Sequence, residues 1–263
     1  MKLAANNIGL TFGDAPILNQ LSLSLDAHCL TMLIGPNGSG KTSLIRTLCG
    51  ELKPATGGIL LEGKKITSWQ PIERAKKMAV LFQNTPVNFD ISVEQIIRLG
   101  RRPHGTSEAV NRAIIADVMS AMDLSAMATR SFVSLSGGEQ QRVQIARVLS
   151  QVWQLESSIN AVLILDEPLA ALDIVYQYQL LQLLHKLRSR GLTILVSIHD
   201  LNLASLFADQ MVLLNKGSVV AAGTPNSVFT QEHLQQVFEQ PCDIIEHPGT
   251  GRPQMMFSAE FSS

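Results

Sequence analysis

The sequence predicts an α/β fold, and three observations support this expectation. In the second half of the chain, strand-like apolar runs alternate with helical patterns, as in AVLILDE, VYQYQLLQLLHKLRSRG and LTILVSIHD. This alternation is typical of a parallel sheet. Residues 1–34 have β patterns throughout, with apolar alternation in ILNQLSLSLD, which indicates an antiparallel β portion. Between about residues 84 and 150 the period becomes helical, so we expect an inserted helical subdomain.

The same patterns predict how the chain is organised. Its 263 residues fit a single domain. We expect residues 1–83 and 151–225 to form the core with its β subdomain, and residues 84–150 to form the helical subdomain. Residues 226–263 would be a C-terminal extension with two short helical pieces and a glycine- and proline-containing end.

Composition argues against several classes of protein. Hydrophobic residues make up 46% of the chain, which argues against wholesale disorder, and a net charge of −1 gives no support for general nucleic-acid binding. Three cysteines without CxxC spacing argue against a disulfide framework or a zinc site. No apolar segment suits a signal peptide or reaches the roughly 20 residues that span a bilayer. We therefore expect a soluble, cytosolic chain; if it works at a membrane, another chain must span the bilayer.

The segment GPNGSGKTS, Gly35 to Ser43, matches the phosphate-binding pattern GxxxxGK[ST] and lies between a predicted strand and a predicted helix. Its glycines let backbone N–H groups converge on phosphates. We expect Lys41 to reach the β- and γ-phosphates of a nucleotide, Thr42 to ligate Mg²⁺ and Ser43 to contact the α-phosphate. The candidate nucleotide-binding residues of this segment are Asn37, Gly38, Ser39, Gly40, Lys41, Thr42 and Ser43.

Polar residues follow three apolar strands farther along the chain. After AVLIL, Asp166 could hold Mg²⁺ and Glu167 could act as the general base for an attacking water. After MAVLF, Gln83 could ligate Mg²⁺ or orient water, although a lone glutamine is more often a surface residue. After TILVSI, His199 could contact the γ-phosphate or the water, although a histidine there is usually structural.

A second segment has the features of a phosphate-binding helix start. In LSGGEQQRVQIAR, Leu135 to Arg147, Ser136 is a plausible N-cap and two glycines follow, while Val143, Ala146 and Ser150 lie on one helical stripe. A glycine-rich helix N-terminus offers N–H groups and a partial positive charge to an anion. The chain therefore has two segments, GPNGSGKTS and LSGGEQQRVQIAR, that are each suited to bind a phosphate group.

These features, in this order, resemble the ATP-binding subunits of ABC transporters, and the resemblance covers about residues 1–225. LSGGEQQR matches the signature motif of that family. The resemblance implies a RecA-like P-loop core, and it assigns Gln83 to the Q-loop, Asp166 and Glu167 to the Walker B pair and His199 to the switch histidine. Asp173 matches the D-loop, although Leu169 and Ala170 stand where Thr-Ser is frequent. Phe12 lies where the family stacks an aromatic on adenine, but it could equally be a core residue.

The resemblance also implies a quaternary structure. In this family the signature helix of one subunit caps the ATP bound by the P-loop of the other, so a head-to-tail homodimer forms two composite sites. The residues expected to act in trans are Ser136, Gly137, Gly138, Glu139 and Asp173. Three other classes of P-loop protein fit this sequence less well. Coiled-coil DNA-repair and chromosome-organising ATPases do not fit because only about fifty residues separate the Q-loop from the signature. Translation-associated proteins have two cassettes and this chain has one, and small-molecule P-loop kinases lack the signature motif.

The remaining interpretation is an importer subunit at the cytoplasmic face of the bacterial inner membrane. We expect it to work with a permease dimer and, indirectly, with a periplasmic binding protein. VEQIIRLGRRPHG resembles a segment of siderophore, cobalamin and haem importers. Its basic end is either a solvated helix terminus or a surface facing the membrane subunits. The spacer VWQLESSIN and the tail EHPGTGRPQMMF resemble the corresponding segments of haem-importer ATPases, and this resemblance favours haem, with ferric siderophore or cobalamin as the alternatives. We expect neither nucleic acid nor haem to bind this chain directly.

Overall fold

The computed structural model describes residues 1–13, 15–83, 90–154 and 159–257. The elements, in chain order, are β1 (Leu3–Phe12), β2 (Ala15–Leu25), β3 (Leu30–Ile34), α1 (Lys41–Leu48), β4 (Thr56–Leu61), β5 (Lys64–Lys65), α2 (Pro71–Lys77), β6 (Met78–Leu81), α3 (Val93–Leu99), α4 (Glu108–Ala121), α5 (Gly137–Val152), β7 (Val162–Asp166), α6 (Ile174–Ser189), β8 (Thr193–Ser197), α7 (Leu201–Phe207), β9 (Gln210–Asn215), β10 (Ser218–Gly223), α8 (Pro225–Val228), α9 (Gln231–Phe238), β11 (Cys242–Glu246) and β12 (Pro253–Phe257). Short 3₁₀ turns lie at Ile66–Ser68, Ser125–Met127 and Phe132–Ser134. Within the described ranges, no helix combines the length and apolar character needed to cross a membrane.

The chain divides into two compact units. The first contains Met1–Leu25, Cys29–Lys65 and Val196–Ser263, and the second contains Asp26–His28 and Ile66–Leu195. Strand β8 is divided between them. In the second unit, the N–H of Thr193 at its start donates to the carbonyl of Ala161, ahead of β7. In the first unit, the N–H of Ile198 just after it donates to the carbonyl of Leu33 in β3.

The first unit contains an antiparallel sheet in the order β2-β1-β4-β5. Leu3 pairs with Leu25 on one side and Leu61 on the other, and all three are fully buried. In the same unit, β3 runs parallel to β9, and β9 pairs antiparallel with β10. All five residues of β3 are buried, as expected for a strand in the interior of a parallel arrangement. This strand leads directly into the glycine-rich loop.

The second unit pairs β6 with β7 in parallel, with Val80 opposite Ile164. Helix α5 packs beside these strands, and Val143, Ala146 and Ser150 on its predicted stripe are fully buried. The helical period therefore identified the buried face of α5 correctly.

Sequence reasoning missed three elements, namely helix α2 and the two strands of the hairpin β11–β12. Helix α2 has Pro71 at its first turn and three basic residues in its last turn, which are ordinary helix signals. The tail holds the hairpin β11–β12 after the two expected short helices, α8 and α9. Neither strand of this hairpin has strong period-2 patterning, so its existence depends on tertiary contacts.

Candidate functional site

In the first unit, the loop between β3 and α1 has a backbone that only glycine can form. Gly35 has φ of 151°, and a Cβ there would lie 2.1 Å from the carbonyl oxygen of Leu214 in β9. Gly40 is the N-cap of α1 with φ of 102°, and Gly38 has φ of 76° with open space where a side chain would be. The loop therefore presses against β9 on one side and leaves its other side open.

Two polar side chains of the segment GPNGSGKTS are buried, one in the loop and one at the start of α1. The Lys41 Nζ donates to the carbonyls of Gly35 and Pro36 at 2.8 and 3.1 Å, so its charge is held by the loop backbone. The Ser39 side chain is 1% exposed, and among the described residues its Oγ has no hydrogen-bond partner. A buried hydroxyl without a partner costs about 1–3 kcal/mol, so a ligand that accepts hydrogen bonds would stabilise this loop. The donor set thus fits a phosphate.

A turn in the segment MVLLNKGSVVAAG, whose sequence indicates a hairpin, supports the same loop, and sequence reasoning did not identify this support. The N–H of Gly217, between β9 and β10, donates to the carbonyl of Ser39 at 2.9 Å. Gly217 has φ of 76°, and a Cβ there would lie 2.2 Å from the carbonyl oxygen of Ile17. The Asn19 side chain donates to the Lys216 carbonyl at 3.1 Å and fixes the turn from β2. The dipeptide Lys216-Gly217, between two apolar runs, was the sequence signal for this turn.

The other predicted site residues of the first unit lie in the glycine-rich loop or near the ends of strands and helices. Asn37 belongs to the loop, and Thr42 and Ser43 are half-buried in the first turn of α1. Phe12 ends β1 with 55% of its side chain exposed, so it is not a core residue. His199 is exposed, two residues after β8, and is followed by Asp200, the N-cap of α7.

In the second unit, the carboxylates predicted after β7 differ in their surroundings. Asp166, the last residue of the strand, is fully buried, whereas Glu167 is half-buried. Glu167 has φ of 51°, a left-handed conformation that is uncommon for a residue with a side chain. Such strain is found where the surroundings fix a residue for function.

The structure brings two of the predicted catalytic residues together. The Nε2 of Gln83 donates a hydrogen bond of 2.6 Å to Oε2 of Glu167, although 84 residues separate them in the sequence. Because the amide donates from nitrogen, its oxygen remains available as an acceptor. Gln83 is thus an orienting partner for the Glu167 carboxylate.

The start of α5 is the N-terminus that the sequence predicted. Ser136 is its N-cap, and its Oγ accepts from the Glu139 N–H at 3.3 Å, while the Glu139 carboxylate accepts from the Ser136 N–H at 2.8 Å. This reciprocal capping lowers the pKa of Glu139 below its ordinary value. A Cβ on Gly137 would meet nothing within 4 Å, so this helix end is open to an incoming group.

A chain of contacts joins α5 to the segment after Glu167. The Gln141 side chain donates to the carbonyl of Pro168 at 3.1 Å, and a Cβ on Gly138 would lie 3.0 Å from the carbonyl of Ala171. Asp173 caps α6 by accepting from the Tyr176 N–H at 3.0 Å. The signature segment, the segment after Glu167 and Asp173 therefore lie together in the second unit. Sequence reasoning did not single out Gln141.

The basic end of VEQIIRLGRRPHG is not a uniformly solvated surface. Arg101 is 5% exposed, and its guanidinium donates to the carbonyl of Ser150 in α5 at 2.7 Å. His104 is bonded to the carbonyl of Gln151, and burial lowers the pKa of both side chains. Arg98 is paired with Glu94 and Glu108. Arg101 and His104 thus anchor this segment to α5.

Comparison with known proteins identifies the arrangement. Residues 18–170 match the sequence profile of the ABC transporter family. The chain belongs to the ABC transporter family. As an ABC ATPase it binds ATP and couples ATP hydrolysis to transport. The α/β fold with an antiparallel β portion predicted from the sequence is confirmed by solved ABC transporter ATPases.

Three relatives illustrate this family membership. The chain is 40% identical to the Hemin import ATP-binding protein HmuV of Pseudomonas aeruginosa over 95% of its own length and 98% of the relative. A structure described as a metal-chelate type ABC transporter in an inward-facing conformation superposes with a TM-score of 0.80 at 25% identity, covering 98% of this chain and 97% of that one. A dimeric bacterial ABC transporter cassette shares the fold, with a TM-score of 0.74 at 24% identity, 84% of this chain and 98% of that chain.

Proposed function

We propose that this protein is the ATP-hydrolysing subunit of an importer that carries haem (hemin) across the bacterial inner membrane. One observation supports haem as the cargo: the 40% identity to a hemin import ATP-binding protein extends over 98% of that relative. The tail EHPGTGRPQMMF, whose resemblance to haem importers favoured haem in the sequence, runs from the last residue of β11 through the described turn and strand β12. The spacer VWQLESSIN falls partly outside the described residues.

We place ATP on the glycine-rich loop, with its phosphates at Ser39, Lys41 and the N–H groups from Asn37 to Thr42. Phe12, exposed at the end of β1, would stack on the adenine. Mg²⁺ would neutralise phosphate charge. Thr42, Gln83 and Asp166 would hold it, and all three offer the oxygen ligands that this ion prefers.

In the proposed mechanism, Glu167 accepts a proton from the attacking water while Gln83 orients its carboxylate. General-base catalysis typically contributes about 100- to 10,000-fold to a rate. His199 would donate a hydrogen bond to the γ-phosphate or orient the water. Phosphoryl transfer depends mainly on positioning and charge stabilisation, and these are the tasks proposed for the three groups.

The proposed active unit is a head-to-tail homodimer. The open N-terminus of α5 has exposed Ser136 and Gly137, which offer N–H and hydroxyl groups without net charge. A cassette with this fold has been solved as a dimer. In such a pair, Ser136, Gly137, Gly138, Glu139 and Asp173 of each copy would complete the ATP site of the other, because isologous pairing lets one surface serve both roles.

The proposed setting is the cytoplasmic face of the inner membrane, beneath a permease dimer that receives cargo from a periplasmic binding protein. Haem would contact those partners and not this chain. The experiment is reconstitution in proteoliposomes with the permease encoded beside this gene. Haem-loaded binding protein should stimulate ATP hydrolysis. If a ferric siderophore or cobalamin on its own binding protein stimulated instead, the haem assignment would be wrong while the ATPase assignment stood.

A further inference from the structure

The C-terminal hairpin β11–β12 lies along α7, the helix that begins two residues after His199. Asn202 in the first turn of α7 forms two hydrogen bonds with the backbone of one residue of β12. Its Oδ1 accepts from the N–H of Met255 at 2.8 Å, and its Nδ2 donates to the Met255 carbonyl at 3.1 Å. The side-chain amide thus pairs with the strand as a neighbouring backbone would.

The contacts continue to the other end of α7. Ser205 is fully buried, and its Oγ donates to the Pro253 carbonyl at 2.5 Å. Beyond the helix, the Arg252 guanidinium donates to the carbonyl of Ala208 at 3.0 Å, and this carbonyl lies at the C-terminal end of α7. The hairpin therefore holds both ends of the helix and its buried face.

Helix α7 has only seven residues, with Asp200 as its N-cap. Helices this short are unstable alone because nucleation fixes several dihedral angles for few hydrogen bonds. The position of α7 therefore depends on its tertiary contacts. His199 lies between α7 and β8, whose end is fixed by the bond from Ile198 to Leu33. The strand fixes the chain before His199, and α7 fixes the chain after it.

We infer that the C-terminal hairpin is a positioning element for His199, acting through Asn202 and α7. The inference rests on the proposed function, which gives His199 its role at the γ-phosphate or the water. An error of about 1 Å in the placement of a catalytic group can cost about 100-fold in rate. Loosening the hairpin should therefore lower the rate of hydrolysis and leave the binding of ATP nearly unchanged.

The decisive variant is Asn202→Ala, with Asn202→Asp keeping the acceptor and removing the donor. Met256→Ala is the matched control, because Met256 follows Met255 on the same strand and its side chain is 54% exposed. We expect kcat of the full-length protein to fall tenfold or more in Asn202→Ala and less in Asn202→Asp. The KM for ATP should change by less than twofold, and Met256→Ala should match the wild type.

Combination with His199→Ala separates positioning from general stability. If Asn202 acts through His199, then Asn202→Ala adds no further loss of kcat in the His199→Ala background. An equal loss in both backgrounds, or no loss in the wild-type background, would overturn the inference.

Amide hydrogen exchange provides a readout that does not need activity. In Asn202→Ala, exchange should become faster across residues 199–207 and remain unchanged in β1 and β2. Unchanged exchange in residues 199–207 would also overturn the inference. A wild-type protein without ATPase activity would contradict the proposed function instead, and exchange would still decide whether the hairpin holds α7.

Discussion

The amide of Gln83 and the carboxylate of Glu167 are joined by a hydrogen bond of 2.6 Å between Nε2 and Oε2. Each residue follows a strand of the parallel pair β6–β7, so the pairing of these strands brings them together. A neutral donor can fix a carboxylate without removing its capacity to accept a proton. The bond thus accounts for a glutamine, rather than a charged residue, at position 83.

The first prediction concerns Glu167→Gln. The substitution keeps an oxygen that can accept from Gln83 but removes the base, so kcat should fall about 100- to 10,000-fold. ATP should remain bound and hold the dimer together, which gel filtration with ATP would detect. Gln83→Ala is the comparison and should reduce kcat less. Turnover near the wild-type rate in Glu167→Gln would exclude Glu167 as the base.

The second prediction tests the composite site by mixing two inactive proteins. Ser136→Arg places a bulky charge at the open start of α5, and Lys41→Ala removes the cation of the loop. Neither variant alone should hydrolyse ATP, although the Ser136→Arg monomer should still bind it. In a mixed dimer one site has both halves intact, so activity should reappear when the two are combined. Continued inactivity of the mixture, with mixed dimers demonstrated, would argue against action in trans.

The third prediction separates folding from function at Gly137. A Cβ there meets nothing within 4 Å, and alanine is the better helix former, so Gly137→Ala should leave stability unchanged or raise it by up to about 1 kcal/mol. Hydrolysis should nevertheless fall, because the added methyl group would face the phosphate of the second copy. Thermal unfolding and steady-state ATPase assays would measure the two effects. Full activity in this variant would indicate that nothing approaches Gly137 closely.

The fourth prediction compares two glycines that have nearly the same φ angle. Gly217 and Gly63 have φ of 76° and 75°, but only a Cβ on Gly217 would clash, at 2.2 Å from the Ile17 carbonyl. Gly63→Ala should cost about 1–2 kcal/mol for its left-handed backbone. Gly217→Ala should cost about 1–3 kcal/mol more from overpacking and should also weaken ATP binding, because its turn supports Ser39. Equal losses of stability and affinity in both variants would refute this role.

The fifth prediction follows from the lowered pKa of Glu139. A carboxylate with a lowered pKa in the folded state stabilises the protein above its unfolded pKa near 4.5, and this stability is lost as pH falls through the lower folded value. Glu139→Gln keeps a capping-box acceptor without a charge. Denaturant titrations should therefore show that the wild type loses stability relative to Glu139→Gln as pH drops below about 4.5. A difference that did not vary with pH would contradict this.

Features set by local chemistry could be predicted from the sequence. Ser136 caps α5 because a hydroxyl before two glycines and Glu139 forms a capping box. The sequence pattern of TGGILLEGKKI indicates a hairpin segment, and it forms the hairpin of β4 and β5 with Gly63 in its turn. The glycine-rich loop lies between a strand and a helix, as its motif requires.

Features set by distant contacts could not be predicted. The left-handed backbone of Glu167 and its bond to Gln83 depend on the pairing of β6 with β7. The hairpin β11–β12 has no strong alternation in its sequence, and its contacts with α7 and α9 form only in the folded chain. The sequence predicts that Arg101 is a surface charge. In the structure its side chain is buried and donates a hydrogen bond to a carbonyl of α5.

The support of the glycine-rich loop by the β9–β10 turn has a consequence for synthesis. The backbone N–H of Leu30, at the start of the strand that leads to the loop, donates to the carboxylate of Asp209, and 179 residues separate them. At about 5–20 residues per second, a ribosome needs about 10–35 s to make that interval. A nascent chain that ends before Gly217 therefore contains the whole GPNGSGKTS motif without its support. We therefore expect tight nucleotide binding only from a chain that extends past Gly217, so ATP would not guide the earlier steps of folding.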